Sequence, residues 1–364
     1  MGFERNNIHA MQGYVSGEQP NDDEIIKLNT NENPYPPSPE VDRIIQGFSA
    51  SSLRRYPPSK ADDFRAVAAE IHGVRPENII PTRGGDELLR LVITTFVDPG
   101  ETIAMSEPTY SLYRVLAQIQ NCPVYQLPLN RDWSLPEGFA HKVNQEGAKL
   151  TFIVNPHAPS GYLTDASKIR QLASDLDSII LVDEAYVDFI APSREYDCLS
   201  MVEEFDNLIF LRTLSKGYSL AGLRFGYGVA HPDLITPMID KTRDSYNLDL
   251  FSQTISAAAL ADQRYAKDTW GKVRLERNRL SSNLRQLNLT HAESSANFLL
   301  VSIDNASGGR KKITARDMYL KLKQQRIFVR YFDAPGLDDK LRITIGTADE
   351  NDQLLAALRE ILSI

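Results

Sequence analysis

The chain has 364 residues, 42% hydrophobic and 24% charged, with 40 basic against 48 acidic side chains and a formal net charge of −8. These values exclude disordered and low-complexity classes and argue against a nucleic-acid partner, while leaving room for a local cationic pocket. Two cysteines (Cys122, Cys198) and six scattered histidines exclude a disulfide framework and any CxxC or HExxH site, so no metal is expected.

The first residues, MGFERNNIHAM, lack the apolar run of a secretory signal, and Gly2 is followed by Asn6 where myristoylation needs Ser or Thr. No later run approaches the ~18 apolar residues of a membrane span. A cytoplasmic protein with no membrane partner is expected. The length predicts two domains or one large lobed one.

Residues 1–60 read as irregular. The stretch Asn29-Thr30-Asn31-Glu32-Asn33-Pro34-Tyr35-Pro36-Pro37 cannot be a helix interior, because proline fixes φ and removes a donor. It is either a solvated arm or the wall of a site. From residue 62 helix and strand patterns alternate. Phe64, Val67, Ala68 and Ile71 recur at helical spacing, and Asp86–Val97 reads as an apolar helix stopped by Asp98-Pro99-Gly100. Thr102–Ser106 is a predicted strand, Thr109–Gln120 a helix and Pro123–Leu127 a strand. Leu150–Asn155, Ser178–Asp183, Asn207–Arg212 and Leu223–Ala230 are predicted apolar strands, with a helix over Asp165–Leu176 between the first two.

A long amphipathic helix over Arg264–Leu287 leads to a second lobe, with strands at Asn297–Ile303 and Leu341–Ile345 and helices at Ala315–Gln324 and Asp349–Leu362. Short apolar strands separated by helices imply an α/β fold, a mostly parallel sheet with helices on both faces. A smaller α/β C-terminal domain would follow, joined by the N-terminal arm. The expected divisions are 1–50 for the arm, 51–262 for the large domain and 263–364 for the small one.

Three polar signals fall at predicted strand ends: Asn155-Pro156, Asp183-Glu184-Ala185-Tyr186 and Thr213-Leu214-Ser215-Lys216. Ligands of open α/β sheets bind beyond the carboxyl ends of the strands, so Asn155, Asp183 and Lys216 are expected to converge. An amine there can form a Schiff base with an aldehyde, and a carboxylate can keep a pyridine nitrogen protonated.

The segment Ser215-Lys216-Gly217-Tyr218-Ser219-Leu220-Ala221-Gly222-Leu223-Arg224-Phe225-Gly226-Tyr227 resembles the Schiff-base lysine segment of fold-type I pyridoxal-phosphate aminotransferases. The resemblance covers nearly the whole chain and is greatest to the histidinol-phosphate aminotransferases. It includes the Asn29–Pro34 element, Arg54-Arg55-Tyr56-Pro57, Thr82-Arg83-Gly84-Gly85-Asp86-Glu87, Pro108-Thr109-Tyr110 and Leu341-Arg342-Ile343-Thr344. It implies pyridoxal 5′-phosphate as cofactor, with Lys216 as its covalent anchor and proton carrier and Asp183 on the pyridinium nitrogen.

On the same resemblance Tyr186 and Asn155 hydrogen-bond the phenolic oxygen and Tyr110 stacks on the ring. Gly84, Gly85 and Asp86 at a helix start, with Thr213, Ser215 and Arg224, hold the phosphate. Tyr56 reaches the phosphate of a neighbouring subunit, so a homodimer with a shared site is implied. Arg342 grips the substrate carboxylate, Arg330 is a candidate second grip, and Asn33 and Tyr35 close the pocket. The plainer alternatives are a helix N-cap for Asp183, a turn residue for Asn155 and a core position for Tyr186.

One departure is His157, in Asn155-Pro156-His157-Ala158-Pro159, where the family commonly has asparagine. It is either a satisfied structural histidine or a group that titrates near the cofactor. The implied reaction converts L-histidinol phosphate and 2-oxoglutarate to imidazole-acetol phosphate and glutamate. Rivals on the same scaffold are an aromatic or broad-range aminotransferase and a phospho-amino-acid decarboxylase. A nicotinamide oxidoreductase is argued against, because Gly226-Tyr227-Gly228 lies inside a predicted strand instead of opening a helix. A non-catalytic regulator would need a basic DNA-binding domain for which the chain has no room.

Overall fold

The strands gather into two sheets in the computed structural model, which describes residues 2–20, 22, 24–303 and 313–363. In chain order they are β1 (Ile26–Leu28), β2 (Ile79–Thr82), β3 (Ile103–Glu107), β4 (Val124–Pro128), β5 (Leu150–Val154) and β6 (Ile179–Asp183). Next come β7 (Leu208–Thr213), β8 (Gly226–Ala230), β9 (Thr290–His291), β10 (Phe298–Ser302), β11 (Ile327–Tyr331) and β12 (Lys340–Thr344).

The larger sheet has the order β2-β8-β7-β6-β5-β3-β4. Only β8 runs against its neighbours β7 and β2; the other pairings are parallel. Phe152, Leu181 and Phe210 on the central strands are fully buried. Strands covered by helices on both faces need continuous apolar runs, which is what the sequence supplies. The chain therefore has the mixed α/β, mostly parallel architecture expected of it.

The smaller sheet has the order β1-β11-β12-β10-β9. Its first strand comes from the N-terminal arm, which pairs Ile26 with Ile327 in parallel register. The arm is thus stitched into the second sheet and is not free in solvent. The 24-residue helix Gln263–Gln286 connects the two halves, with Asp262 capping the N–H of Tyr265.

Some boundaries differ from the sequence expectation. The helix expected at Asp86 begins at Gly84, because the apolar periodicity starts only at Leu88. The edge strand β2 was not expected, since Pro81 interrupts its pattern. An edge strand tolerates proline because only one side of it is paired. Asp165 is the N-cap residue of the helix Ala166–Asp175, but its carboxylate pairs with Arg194 at 3.0 Å instead of capping.

Candidate active site

Val154, Asp183 and Leu211 lie side by side across β5, β6 and β7. The residues that follow them, with Asp183 itself, therefore share the carboxyl edge of the large sheet. Lys216 stands in the turn after β7, part-buried, with Nζ donating to the Thr30 carbonyl at 2.8 Å. Burial lowers its amine to about 8; Glu32 opposes the shift, while Arg342 and Lys27 add to it. An ammonium loses hydration on burial, so the neutral, nucleophilic form gains.

Asp183 is 6% exposed, and burial raises its carboxyl to about 6. Tyr113 donates to Oδ2 at 2.6 Å and the Ala185 N–H to Oδ1 at 3.0 Å, and both oppose the shift. Each oxygen keeps a lone pair for a further donor. Tyr110, a helical turn before Tyr113, packs edge-on to it with centroids 5.4 Å apart. Tyr186 is buried against Phe298, and its oxygen accepts from Asn31 Nδ2 at 3.0 Å.

Asn155 is fully buried, and both its amide protons are hydrogen-bonded. Nδ2 donates to the Thr164 carbonyl and the Tyr196 hydroxyl, both at 2.9 Å, while Oδ1 accepts from the Thr164 N–H at 2.8 Å. These bonds tie Asn155 to the loop that ends at Thr164. His157 is also satisfied. Nε2 meets the Pro108 carbonyl at 2.9 Å, Nδ1 meets Ser160 Oγ at 2.8 Å, and burial pushes its pKa down to about 4. It stays neutral at physiological pH and plays a structural part.

Beside Lys216 a polar cradle forms. Gly84 opens the helix Gly84–Phe96 at φ +73°, a backbone conformation that favours glycine. A Cβ there would lie 2.8 Å from Arg224 Nη2, and one on Gly226 would lie 2.8 Å from the Gly84 and Gly85 backbone. The first-turn N–H groups of that helix have no intrahelical acceptors and suit an anion. Arg224 Nη2 bonds Asp86 Oδ2 at 3.0 Å, which directs the guanidinium to this end of the helix. Thr213 Oγ1 lies 3.0 Å from Ser215 Oγ. Thr213 Oγ1 also lies 3.2 Å from the Phe225 carbonyl, so its single proton serves one of the two.

Arg342 and Arg330 face each other across β12 and β11. Among the described residues neither forms an ion pair, and Arg342 Nε is buried without a partner while Nη2 donates to the Asn29 carbonyl at 3.1 Å. Both guanidiniums lie over the Phe332 ring, 5.4 and 5.5 Å from its centroid, and Arg342 Nε remains available to an anion. Asn33 Nδ2 donates to the Gly217 carbonyl at 3.2 Å, next to the lysine. Tyr35 turns towards the long helix instead, with Lys272 Nζ 5.5 Å from its ring. Tyr56 is 80% exposed and stacks on Tyr246 at 4.4 Å. Sequence reasoning missed Tyr113, Asn31 and Tyr14. Tyr14 packs on Tyr110 at 5.8 Å. The only sequence signal for Tyr113 was its helical spacing from Tyr110.

A covalent amine, an acid that can face a ring nitrogen and an anion cradle, set on the carboxyl edge of a parallel sheet, define a transaminase-type site. Residues 23–358 match aminotransferase class I and II, and the chain belongs to that family. Histidinol-phosphate aminotransferase 1 of Trichormus variabilis is 42% identical over 359 residues, covering 98% of each chain. The protein of the same name from a Nostoc species is 41% identical over 359 residues with the same coverage. The crystal structure of histidinol-phosphate aminotransferase from Sinorhizobium meliloti, in complex with pyridoxal-5′-phosphate, superposes with a TM-score of 0.90 at 26% identity. That match covers 100% of this chain and 98% of the other.

Proposed function

We propose that the chain is a pyridoxal-phosphate-dependent aminotransferase of histidine biosynthesis. It exchanges an amino group between L-histidinol phosphate and 2-oxoglutarate, giving imidazole-acetol phosphate and glutamate. The observation that carries this reading is Arg342, cross-strand from Arg330 and close enough to Lys216 to help lower its pKa. A two-stage reaction must seat glutamate, with its carboxylates, and a phosphate ester in one pocket. Paired guanidiniums can grip either anion bidentately.

The residues fit the cofactor. When bound, pyridoxal phosphate supplies an aldehyde that condenses with amines and a ring that withdraws electrons from the carbon beside that nitrogen. Lys216 Nζ, with its lowered pKa, is the nucleophile and later carries the proton to and from the substrate carbon. Asp183, held by Tyr113 and the Ala185 N–H, keeps a proton on the ring nitrogen. Tyr110 covers one ring face. The N–H groups of Gly85 and Asp86, the Ser215 hydroxyl and Arg224 bind the phosphate.

The test is a half-reaction titration of the purified enzyme. Wild type is expected to react with histidinol phosphate and with glutamate, and Arg342→Ala to weaken both by on the order of 10- to 100-fold, one lost charged contact. Rapid reaction with tyrosine or phenylalanine and none with histidinol phosphate would favour the aromatic rival.

We further propose a cytoplasmic homodimer; no described helix is long and apolar enough to cross a membrane. Residues 51–262 form the cofactor domain, faced by 263–364 with the 1–50 arm. An exposed Tyr56 stacked on Tyr246 suits a residue that completes its partner's phosphate site. Mixing inactive Tyr56→Ala and Lys216→Ala subunits is then expected to restore part of the activity, because one site in each mixed dimer has both residues. No recovery after verified subunit exchange would refute the shared site.

A further inference from the structure

We propose that Asn31 is a positioning residue that fixes the Tyr186 hydroxyl as a hydrogen-bond donor to the cofactor's phenolic oxygen and makes that donor depend on the second sheet. This rests on the pyridoxal-phosphate reading above.

The argument is a count of protons. Asn31 is 1% exposed and held at φ 59°. Its N–H donates to Thr344 Oγ1 at 3.0 Å, so the single Thr344 proton is free to go to Asn31 Oδ1, 3.1 Å away. That bond fixes which end of the side-chain amide is oxygen. The other end, Nδ2, points at Tyr186 and can only donate. Tyr186 must therefore accept from Asn31 and send its own proton elsewhere. Arg342, Asp183, Tyr14, Tyr110 and Tyr113 are charged or titratable groups that interact with Tyr186. Among the described residues no protein atom accepts the Tyr186 proton. The phenolic oxygen of the cofactor is an acceptor that the proposed reaction brings to this edge.

Asn31 is also tied to the second sheet. Asn297, just before β10, donates to its carbonyl at 2.9 Å, and Thr344 closes β12. The neighbouring Thr30 carbonyl holds Lys216 and Asn33 holds the Gly217 carbonyl, so residues 30–33 span the site. A hydroxyl donor stabilises the ionised phenolic oxygen and lowers the pH at which the visible band of the loaded enzyme titrates.

Asn31→Gly removes the amide yet suits the positive φ. It is expected to raise that titration midpoint and to lower kcat about three- to tenfold with KM for glutamate within about twofold, one hydrogen bond's worth. Asn31→Asp keeps the shape but offers an acceptor that draws the Tyr186 proton away, so its midpoint should rise further. In the cofactor-free protein, the destabilising effects of Asn31→Gly and Tyr186→Phe on urea unfolding should be non-additive. A wild-type midpoint in Asn31→Gly, with the cofactor loaded, overturns the proposal alone. A wild-type protein that loads no cofactor overturns the functional reading instead.

Discussion

Replacing Lys216 with alanine is expected to give a folded protein without measurable transamination. The substitution removes the amine that burial keeps nucleophilic at this edge and the group that moves the substrate proton. Positioned proton transfer alone contributes roughly 10²–10⁴-fold, and the lost covalent route adds to that. Stability should not suffer, because alanine relieves the desolvation that lowers the lysine to about 8. Lys216→Arg is expected to be equally inactive, since a guanidinium is not a nucleophile at any working pH. Borohydride treatment of loaded wild type should fix the cofactor to the peptide carrying Lys216. Label on another peptide, or turnover in Lys216→Ala, would remove the lysine from its role.

The parallel sheet was legible because β5, β6 and β7 are uninterrupted apolar runs bounded by polar turns. Short elements that depend on a distant partner were not. The three-residue strand β1 has no period of its own and exists because β11, some 300 residues later, offers an edge. The site shows the same division. Lys216, Asp183, Gly84 and Arg342 sit in short motifs beside strand ends, where residue type and position suggest chemistry. Tyr113, Asn31 and Thr344 act through partners 70, 155 and 313 residues away, which no local pattern encodes. Asn155 shows both sides. Its motif suggests a cofactor contact, but its bonds to Thr164 and Tyr196 appear only in the fold. Counting donors needs neighbours, and neighbours need the fold.

Replacing Asp183 with asparagine should separate catalysis from stability. An asparagine fills the same space but cannot hold a proton on the ring nitrogen by charge. Losing one member of a buried charge pair costs about 3–5 kcal/mol, so turnover is expected to fall between about 10² and 10⁴-fold while some cofactor still binds. The cofactor-free protein should respond in the opposite direction. Its Asp183 carboxyl is raised to about 6 by burial, against about 3.9 in an unfolded chain. The native state then holds the proton more tightly than the unfolded state. The stability from this group is present below about pH 4 and lost as pH rises to about 6. Asparagine does not ionise, so the variant's stability relative to wild type should improve across that window, by about 2–3 kcal/mol, and level off above it. Unfolding midpoints of both cofactor-free proteins at pH 4, 5, 6 and 7 test this directly. A pH-independent difference would mean that Asp183 is not the raised carboxyl described here. Near-normal turnover in the variant would mean that the ring nitrogen is served by another group.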